Sequence, residues 1–98
     1  MTYERQYYVY IMANRYNTAL YVGFTSDLPV RVFHHKQKVV PGHTGRYNLN
    51  KLVYYEIGYD VMSTIAREKQ IKRWSHQKKR THVTSMNSKW KDLSDAFL

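Results

Sequence analysis

The sequence of 98 residues contains no cysteine, which excludes a disulfide framework and a zinc site built on thiolates. It also has no apolar run long enough to span a bilayer and no glycine-rich phosphate loop of the ATPase type. Its five histidines do not fall at a familiar zinc spacing, and "MTYERQYYVYIM" lacks a signal-peptide cleavage pattern. These absences predict a small cytoplasmic protein, folded as a single domain over residues 1–98.

Acidic residues are scarce. Seven Asp and Glu residues oppose 16 Lys and Arg residues, which gives a net charge of +9. A positive field of this size on a small domain favours a polyanionic partner, with nucleic acid ahead of an anionic membrane surface. Charge alone is also compatible with a purely solubilising role, because it governs association rather than fold.

Segments rich in β-branched and aromatic residues predict strands over 7–12, 19–24 and 51–57. Helical patterns cover about 27–38, 61–74 and 75–86. The residues alone therefore predict an α/β domain. The segment 39–50 contains proline, glycine and asparagine and reads as a long loop, of the kind that often carries function.

The first two strands are expected to form a hairpin with its turn centred between positions 15 and 16. In this register Val9 lies opposite Val22 on an apolar face, as the two-residue period of a strand requires. Tyr10 then lies opposite Tyr21 on the other face, beside Gly23. Two tyrosines are thus predicted to share one face of the sheet with a residue that has no side chain.

The first helix is predicted to begin at a cap formed by Asp27 or Ser26. Its spacing predicts a buried side made of Leu28, Val32 and Phe33. Arg31 and His35 are four positions apart, so they are neighbours on the helix surface beside that apolar stripe. An arginine and a histidine on a helix are usually surface residues, but the same pair could bind a phosphate.

The second helix is expected to be capped by Asp60 or Ser63 and to bury Val61, Met62, Ile65 and Ala66. Glu68 falls at the border of this apolar stripe, between Ile65 and Ile71. The structural explanation is an ion pair with Lys72, worth a few tenths of a kcal/mol. The functional explanation is a ligand for a hard cation.

Basic residues are concentrated in the second half of the chain, between positions 67 and 80. They form either a solvated helical face or a patch that contacts phosphates, and the overall charge favours the patch. The long loop adds His43, Thr44, Arg46 and Tyr47, which suit a phosphate backbone. The predicted nucleic-acid-binding residues are Gly23, where a backbone could approach closely, and Lys36, Lys38, Arg46, Lys72, Arg73, Lys78 and Lys79.

The order and spacing of the candidate residues resemble the GIY-YIG nuclease family, most closely its small single-domain bacterial members. The resemblance covers a core of about residues 7–93 and includes "YVY" at 8–10, "YVG" at 21–23, Arg31, His35 and Glu68. The segments "AREKQIKRW" and "MNSKWKDL" also look like that subgroup. Tyr8 stands where the family motif has glycine, valine replaces both central isoleucines, and Gly45 stands where a basic residue is expected.

The resemblance implies a fold of the α+β kind, in which about three helices flank a small, largely antiparallel three-stranded sheet. It also implies a metal-dependent endonuclease that hydrolyses DNA phosphodiester bonds. Tyr10 and Tyr21 would surround the attacking water, with Tyr10 as general base and His35 as proton acceptor or relay. Arg31 would bind the scissile phosphate, and Glu68 would hold one divalent cation, Mg²⁺ or Mn²⁺. Asn87 is a further candidate for the site.

Two other functions remain open at this point. One is a nucleic-acid-binding module of the same fold without catalysis, and the other is a basic interaction protein. The five core positions of the motif favour the enzyme. The lack of an evident specificity domain favours weak cutting or a protein partner that supplies specificity.

Overall fold

The computed structural model describes residues 5–37 and 48–97. One antiparallel sheet with strand order β2-β1-β3 is formed by β1 (Tyr7–Ala13), β2 (Leu20–Thr25) and β3 (Lys51–Gly58). The helices described are α1 (Leu28–Lys36), α2 (Val61–Arg73), α3 (His76–Met86) and a 3₁₀ helix, Leu93–Ala96. This arrangement confirms the predicted α+β fold. The predicted binding residues Lys38 and Arg46, with most of the 39–50 loop, lie outside the described residues.

Strand β1 lies at the centre of the sheet and buries residues on both faces. Because successive side chains point to opposite faces, Val9 and Ile11 belong to one face and Tyr10 and Met12 to the other. The Val9 face packs against Ile71 of α2 and Val83 of α3. The Tyr10 face packs against residues of α1, Leu28 and Val32. Helix α1 therefore covers the Tyr10 face, where the predicted site lies.

The hairpin register differs from the prediction by two residues. The predicted pairs Tyr10–Tyr21 and Val9–Val22 are wrong, because Tyr10 lies opposite Gly23. A shift by two residues keeps every side chain on its predicted face, since the side-chain period of a strand is two. Tyr10 and Tyr21 therefore still share a face, on a diagonal rather than directly opposite.

The connection lies one residue further along the chain than predicted, at 14–19 instead of 13–18, and this displacement causes the shift. The carboxamide oxygen of Asn14 accepts hydrogen bonds from the backbone N–H groups of Thr18, at 2.8 Å, and Ala19, at 3.1 Å. The backbone N–H of Asn14 also donates to the Ala19 carbonyl. A side chain that bonds its own loop in this way stabilises the six-residue connection over 14–19.

Helix α1 begins after Asp27, whose side chain accepts from the backbone N–H of Val30 at 3.2 Å. This confirms the aspartate alternative for the cap. Phe33, predicted to be buried, is 51% exposed. The residues that the helix buries are spaced by four and three positions: Leu28, Val32 and His35. His35 is thus part of the core-facing stripe and not beside it.

Helix α2 is rotated relative to the predicted orientation. Residues predicted to be buried but found exposed are Val61, Met62 and Ala66. The helix instead buries Thr64 and Ile71, with Glu68 on the same face between them. Thr64 sets this rotation because it packs on the backbone of Gly58, where an added Cβ would lie 2.0 Å from the threonine hydroxyl. Asp60 is the helix cap, as one of the two predicted alternatives had it.

None of the helices described over 5–37 and 48–97 combines the length and apolar character needed to cross a membrane.

Candidate active site

A buried hydrogen bond joins the central strand to helix α1. The phenol oxygen of Tyr10 lies 2.9 Å from Nε2 of His35. Tyr10 is 1% exposed and His35 is 2% exposed, so the bond is shielded from water. The other ring nitrogen of His35, Nδ1, is buried without a hydrogen-bond partner in the described part of the chain. The pair is therefore a neutral, desolvated unit rather than a surface contact.

Gly23 makes this geometry possible. A Cβ atom at Gly23 would lie 2.5 Å from both Cζ and the hydroxyl oxygen of Tyr10. Such a distance is a hard clash, so the ring of Tyr10 lies over the glycine only because no side chain is present. The space that was predicted to admit a nucleic-acid backbone is filled by Tyr10.

Tyr21 lies on the more exposed side of the Tyr10–His35 pair. Its ring centroid is 6.2 Å from that of Tyr10 and 5.4 Å from that of His35. Tyr21 is only half-buried, and the ammonium of Lys72 lies 6.0 Å from its ring centroid. Helix α2 therefore reaches the edge of the site next to Tyr21.

Glu68 and Arg31 provide the charges closest to the pair. The side chain of Glu68 is 15% exposed, and its carboxylate lies 3.6 Å from the ammonium of Lys72. This is the predicted ion pair, at a distance too long for a strong hydrogen bond. Arg31 is half-buried on α1, one turn before His35. The five residues predicted from the sequence thus come from four separate elements: Tyr10, Tyr21, Arg31, His35 and Glu68. Tyr10, Tyr21 and His35 lie against one another, and the charges of Arg31 and Glu68 act on the Tyr10 phenol.

Burial controls the protonation of the central pair. It raises the pKa of the Tyr10 phenol, and the nearby Tyr21 raises this pKa further; Arg31 lowers it by less than either, and Glu68 makes the smallest, raising contribution. Burial also lowers the pKa of His35 to about 4, assisted by the charge of Arg31. Both side chains are therefore neutral at neutral pH. The charge of Arg31 by itself would favour a phenolate at Tyr10, but desolvation has the larger and opposite effect.

The depressed pKa of His35 predicts a pH-dependent stability. The unfolded chain binds the His35 proton near pH 6.5, whereas the folded chain binds it only near pH 4, so stability falls as pH drops through this window. We expect the free energy of unfolding to decrease by about 2 kcal/mol between about pH 7 and pH 5, because one unit of pKa corresponds to about 1.36 kcal/mol. Urea denaturation at both pH values measures this change.

His35→Gln is the matched control, since a carboxamide can still bond Tyr10 but does not titrate. Carboxyls such as Glu56 and Asp92 have lowered pKa values, so their stabilisation is lost only in more acidic solution. An equal loss of stability in the wild type and in His35→Gln would contradict the assignment of this pH dependence to His35.

The donor set around Glu68 fits one kind of metal site. Within residues 5–37 and 48–97, no three His, Asp or Glu side chains cluster as an all-protein metal cage. Mg²⁺ is usually held by one or two carboxylates, with waters and substrate phosphates as its other ligands. A single carboxylate that is largely shielded and only loosely paired with Lys72 suits this mode. Glu68 is therefore the residue that would hold such an ion.

Several predicted nucleic-acid-binding residues are engaged in contacts within the protein. The ammonium of Lys36 bonds the Asp92 carboxylate at 2.5 Å and the Asn50 carbonyl at 2.9 Å. Lys78 lies over the Trp74 ring, 4.6 Å from its centroid. These lysines therefore have structural contacts as well as charge. The predicted roles of Lys72, Arg73 and Lys79 in binding remain predictions.

Asn87 ends helix α3 and ties it to the sheet. Its side-chain amide donates to the backbone carbonyls of Val53, at 3.0 Å, and Lys91, at 2.9 Å. Its carboxamide oxygen accepts from the Lys91 N–H at 3.1 Å. These bonds satisfy the whole side chain and give Asn87 a structural explanation. Its predicted place in the site remains a prediction.

Asp92 was not predicted from the sequence, although it supports the site by connecting α1 to β3. Its carboxylate binds Lys36 of α1 and accepts from the backbone N–H of Leu52 at 3.2 Å. It also caps the 3₁₀ helix through Ser94. The signal was the spacing of an aspartate two residues before a serine, which is typical of a local capping turn. Its long-range contacts to α1 and β3 had no local signature.

Comparison with known proteins adds family evidence to this geometry. A family model described as the GIY-YIG catalytic domain matches residues 6–81. The solution NMR structure of a UPF0213 protein from Bacillus halodurans has a similar fold, with a TM-score of 0.56. The two chains are 23% identical, and the match covers 92% of this chain and 95% of that one. No curated protein matches the chain significantly.

Proposed function

Because this chain belongs to the GIY-YIG catalytic domain family, we propose that it is a metal-dependent endonuclease that hydrolyses DNA phosphodiester bonds. The observation that carries the proposal is the buried bond between Tyr10 and His35, with Arg31 and Glu68 beside it. A desolvated phenol–imidazole pair is too buried to form a binding surface, but it is suited to proton transfer. Its position at the meeting point of β1, β2, α1 and α2 supports a catalytic role.

The proposed role of the pair is to remove a proton from the attacking water. The water would give its proton to the phenol oxygen of Tyr10 while the phenol passes its own proton to Nε2 of His35. This coupled transfer avoids a free phenolate, which the raised pKa of Tyr10 disfavours. It needs a neutral imidazole, and the lowered pKa of His35 supplies one at neutral pH. Tyr21, on the open side, would hold the water in position.

Arg31 is proposed to bind the scissile phosphate. A guanidinium offers two parallel N–H donors that match two phosphate oxygens and neutralise the charge that develops on them. Its half-buried position beside the pair would strengthen this interaction relative to one in open water. Glu68 would hold the Mg²⁺ ion, which would supply Lewis-acid stabilisation of the negative charge on the leaving group. Each group thus has one role in an in-line displacement.

Metal-dependent cleavage tests this proposal directly. We expect supercoiled plasmid to be nicked or linearised by the protein with Mg²⁺, and to remain intact when EDTA is present. Excess Mg²⁺ added after EDTA should restore cleavage. Gel electrophoresis of plasmid with time measures the result, and a fluorescently labelled DNA binding assay is run under the same conditions.

The binding assay separates the enzyme from the other candidate functions. Salt-sensitive binding without cleavage under any metal condition would contradict the proposed activity and favour a binding module, because phosphate contacts weaken as salt rises. Binding to DNA that is insensitive to salt would instead favour an interaction protein. Cleavage that persists in EDTA would contradict the metal dependence.

A further inference from the structure

An exposed patch of aromatic and apolar side chains adjoins the candidate active site. It consists of Tyr8, Tyr55 and Ile57, called the aromatic platform below. Tyr8 of β1 lies opposite Ile57 of β3, and Tyr55 lies directly opposite Tyr10. Because alternate residues of a strand share a face, the platform and Tyr10 lie on the same face of the sheet.

The platform is accessible at the surface. Tyr55 is 39% exposed and Ile57 is 46% exposed, whereas Tyr8 is half-buried. The rings of Tyr8 and Tyr55 meet edge to face, with their centroids 6.4 Å apart. Two neighbouring tyrosine rings thus meet at the surface, and both lie next to Tyr10 in the sheet.

Helix α1 and the C-terminal 3₁₀ helix cover part of the Tyr10 face. Leu28 and Val32 of α1 share one buried cluster with Tyr10, Met12 and Leu52, and the residues packed against this cluster include Tyr8, Leu93 and Phe97. Exposed apolar surface next to a functional site is typical of binding surfaces. Tyr8 also occupies the position where the resembled family motif has glycine. This chain therefore has an aromatic ring at a place where the motif requires none.

We propose that the aromatic platform stacks unpaired nucleobases of the substrate strand, so that single-stranded or locally unpaired nucleic acid is the preferred substrate. This inference rests on the proposed function, because it takes nucleic acid as the partner. Stacking on aromatic side chains beside a basic surface is how proteins hold single strands without reading sequence. In a duplex the base faces already stack on their neighbours, so they cannot lie on Tyr55.

Two observations favour a nucleobase over other occupants of the platform. The net charge of +9 attracts the phosphates that a strand carries along with its bases. Tyr55 pairs across the sheet with Tyr10, whose phenol bonds His35, so a base stacked on Tyr55 would lie beside the strand that carries the candidate site. The platform is thus continuous with the site where the backbone would be cut.

Oligonucleotide binding in EDTA tests this inference without cleavage. A fluorescently labelled single strand and its blunt duplex are titrated against the wild type, Tyr55→Val, Tyr55→Phe and Tyr16→Val. We expect Tyr55→Val to weaken single-strand binding about tenfold and duplex binding less than twofold, because one stacked base is worth roughly this amount. Tyr55→Phe should bind like the wild type, since phenylalanine keeps the ring and removes only the hydroxyl.

Tyr16→Val is the matched control. Tyr16 is 70% exposed and lies in the β1–β2 turn, at the other end of the hairpin from Tyr8, so its loss should change neither affinity. An RNA strand of the same sequence should show the same dependence on Tyr55, because its bases present the same faces. Equal loss of single-strand and duplex binding in Tyr55→Val, or no loss in either, would overturn the proposal.

Sedimentation of the same variants distinguishes the remaining occupant, a second copy of the chain. A dimer that Tyr55→Val dissociates, with unchanged single-strand binding, would assign the platform to self-association and overturn the proposal. The plasmid assay tests the nuclease proposal independently of these binding experiments. Selective loss of single-strand binding together with no metal-dependent cleavage would leave the platform supported and the nuclease proposal contradicted.

Discussion

Replacement of Arg31 by alanine should reduce the rate of DNA cleavage on the order of a thousandfold, the loss seen when a charge-stabilising group is removed from comparable sites. Arg31 lies one helical turn from His35, and its charge acts on both Tyr10 and His35. A phosphate bound at this point therefore faces the proton-transfer pair. Single-turnover cleavage with saturating protein measures the change without interference from weaker DNA binding.

The stability of Arg31→Ala should stay close to that of the wild type. The Arg31 side chain is only half-buried and its removal takes no atom from the core. We therefore expect the free energy of unfolding to change by no more than about 0.5 kcal/mol. Arg31→Lys should recover only part of the activity, because an ammonium has charge but lacks the planar fork. Arg15→Ala, in the β1–β2 turn, controls for the loss of one positive charge. Normal cleavage by Arg31→Ala would contradict the proposed mechanism.

Replacement of Gly23 by alanine should disable the site by displacing Tyr10. The new methyl group would lie 2.5 Å from the phenol oxygen of Tyr10, so the ring must move and its bond to His35 must break. We expect at least about a hundredfold loss of cleavage, since displacements of about 1 Å can have that effect. Overpacking should also lower the free energy of unfolding by about 1–3 kcal/mol. Single-turnover cleavage and urea denaturation measure the two effects.

Gly58→Ala is the matched control for the stability loss. Its methyl group would lie 2.0 Å from the hydroxyl of Thr64, a contact between β3 and α2 that does not include Tyr10 or His35. This variant should lose stability and keep the rate of cleavage per folded molecule. Loss of cleavage in Gly58→Ala as large as in Gly23→Ala would show that destabilisation, and not displacement of Tyr10, explains the effect.

Local patterns in the sequence predicted the elements well because their signals are local. Alternating apolar residues, the Asp27 cap and the Asp60 cap each act within a few positions, and the structure has strands and helices where these signals lie. The face shared by Tyr10 and Tyr21 was also predictable. It depends on the period of a strand, which survives the two-residue error in the register.

Long-range packing was not predictable from the sequence. The rotation of α2 depends on Thr64 resting on Gly58, two residues whose contact no local pattern indicates. Val61 and Met62 were predicted to be buried because they are apolar. The helix begins beyond the end of the sheet, so both side chains are exposed to solvent. The same rotation places Glu68 on the face of α2 that carries Thr64 and Ile71. The Glu68 side chain is only 15% exposed, and hydropathy could not have predicted this shielding from solvent.

The burial of Tyr10 and His35 was the other unpredicted feature of the site. The resemblance implied Tyr10 as general base and His35 as proton acceptor or relay but not their burial, which raises the pKa of Tyr10 and lowers that of His35. Burial depends on how α1 closes over the sheet, which follows from the spacing of Leu28, Val32 and His35. The histidine occupies a core position of the helix, where an apolar residue would be expected.

Cleavage of supercoiled plasmid by the wild type and by Glu68→Ala, side by side with Mg²⁺, tests the central claim most directly. Lys72→Ala is run in parallel, since it removes the ion-pair partner of Glu68 and leaves the carboxylate in place. We predict Mg²⁺-dependent cleavage by the wild type and by Lys72→Ala, and none by Glu68→Ala, with all three proteins folded. Equal cleavage by the wild type and Glu68→Ala would contradict a metal-dependent nuclease with its ion at Glu68.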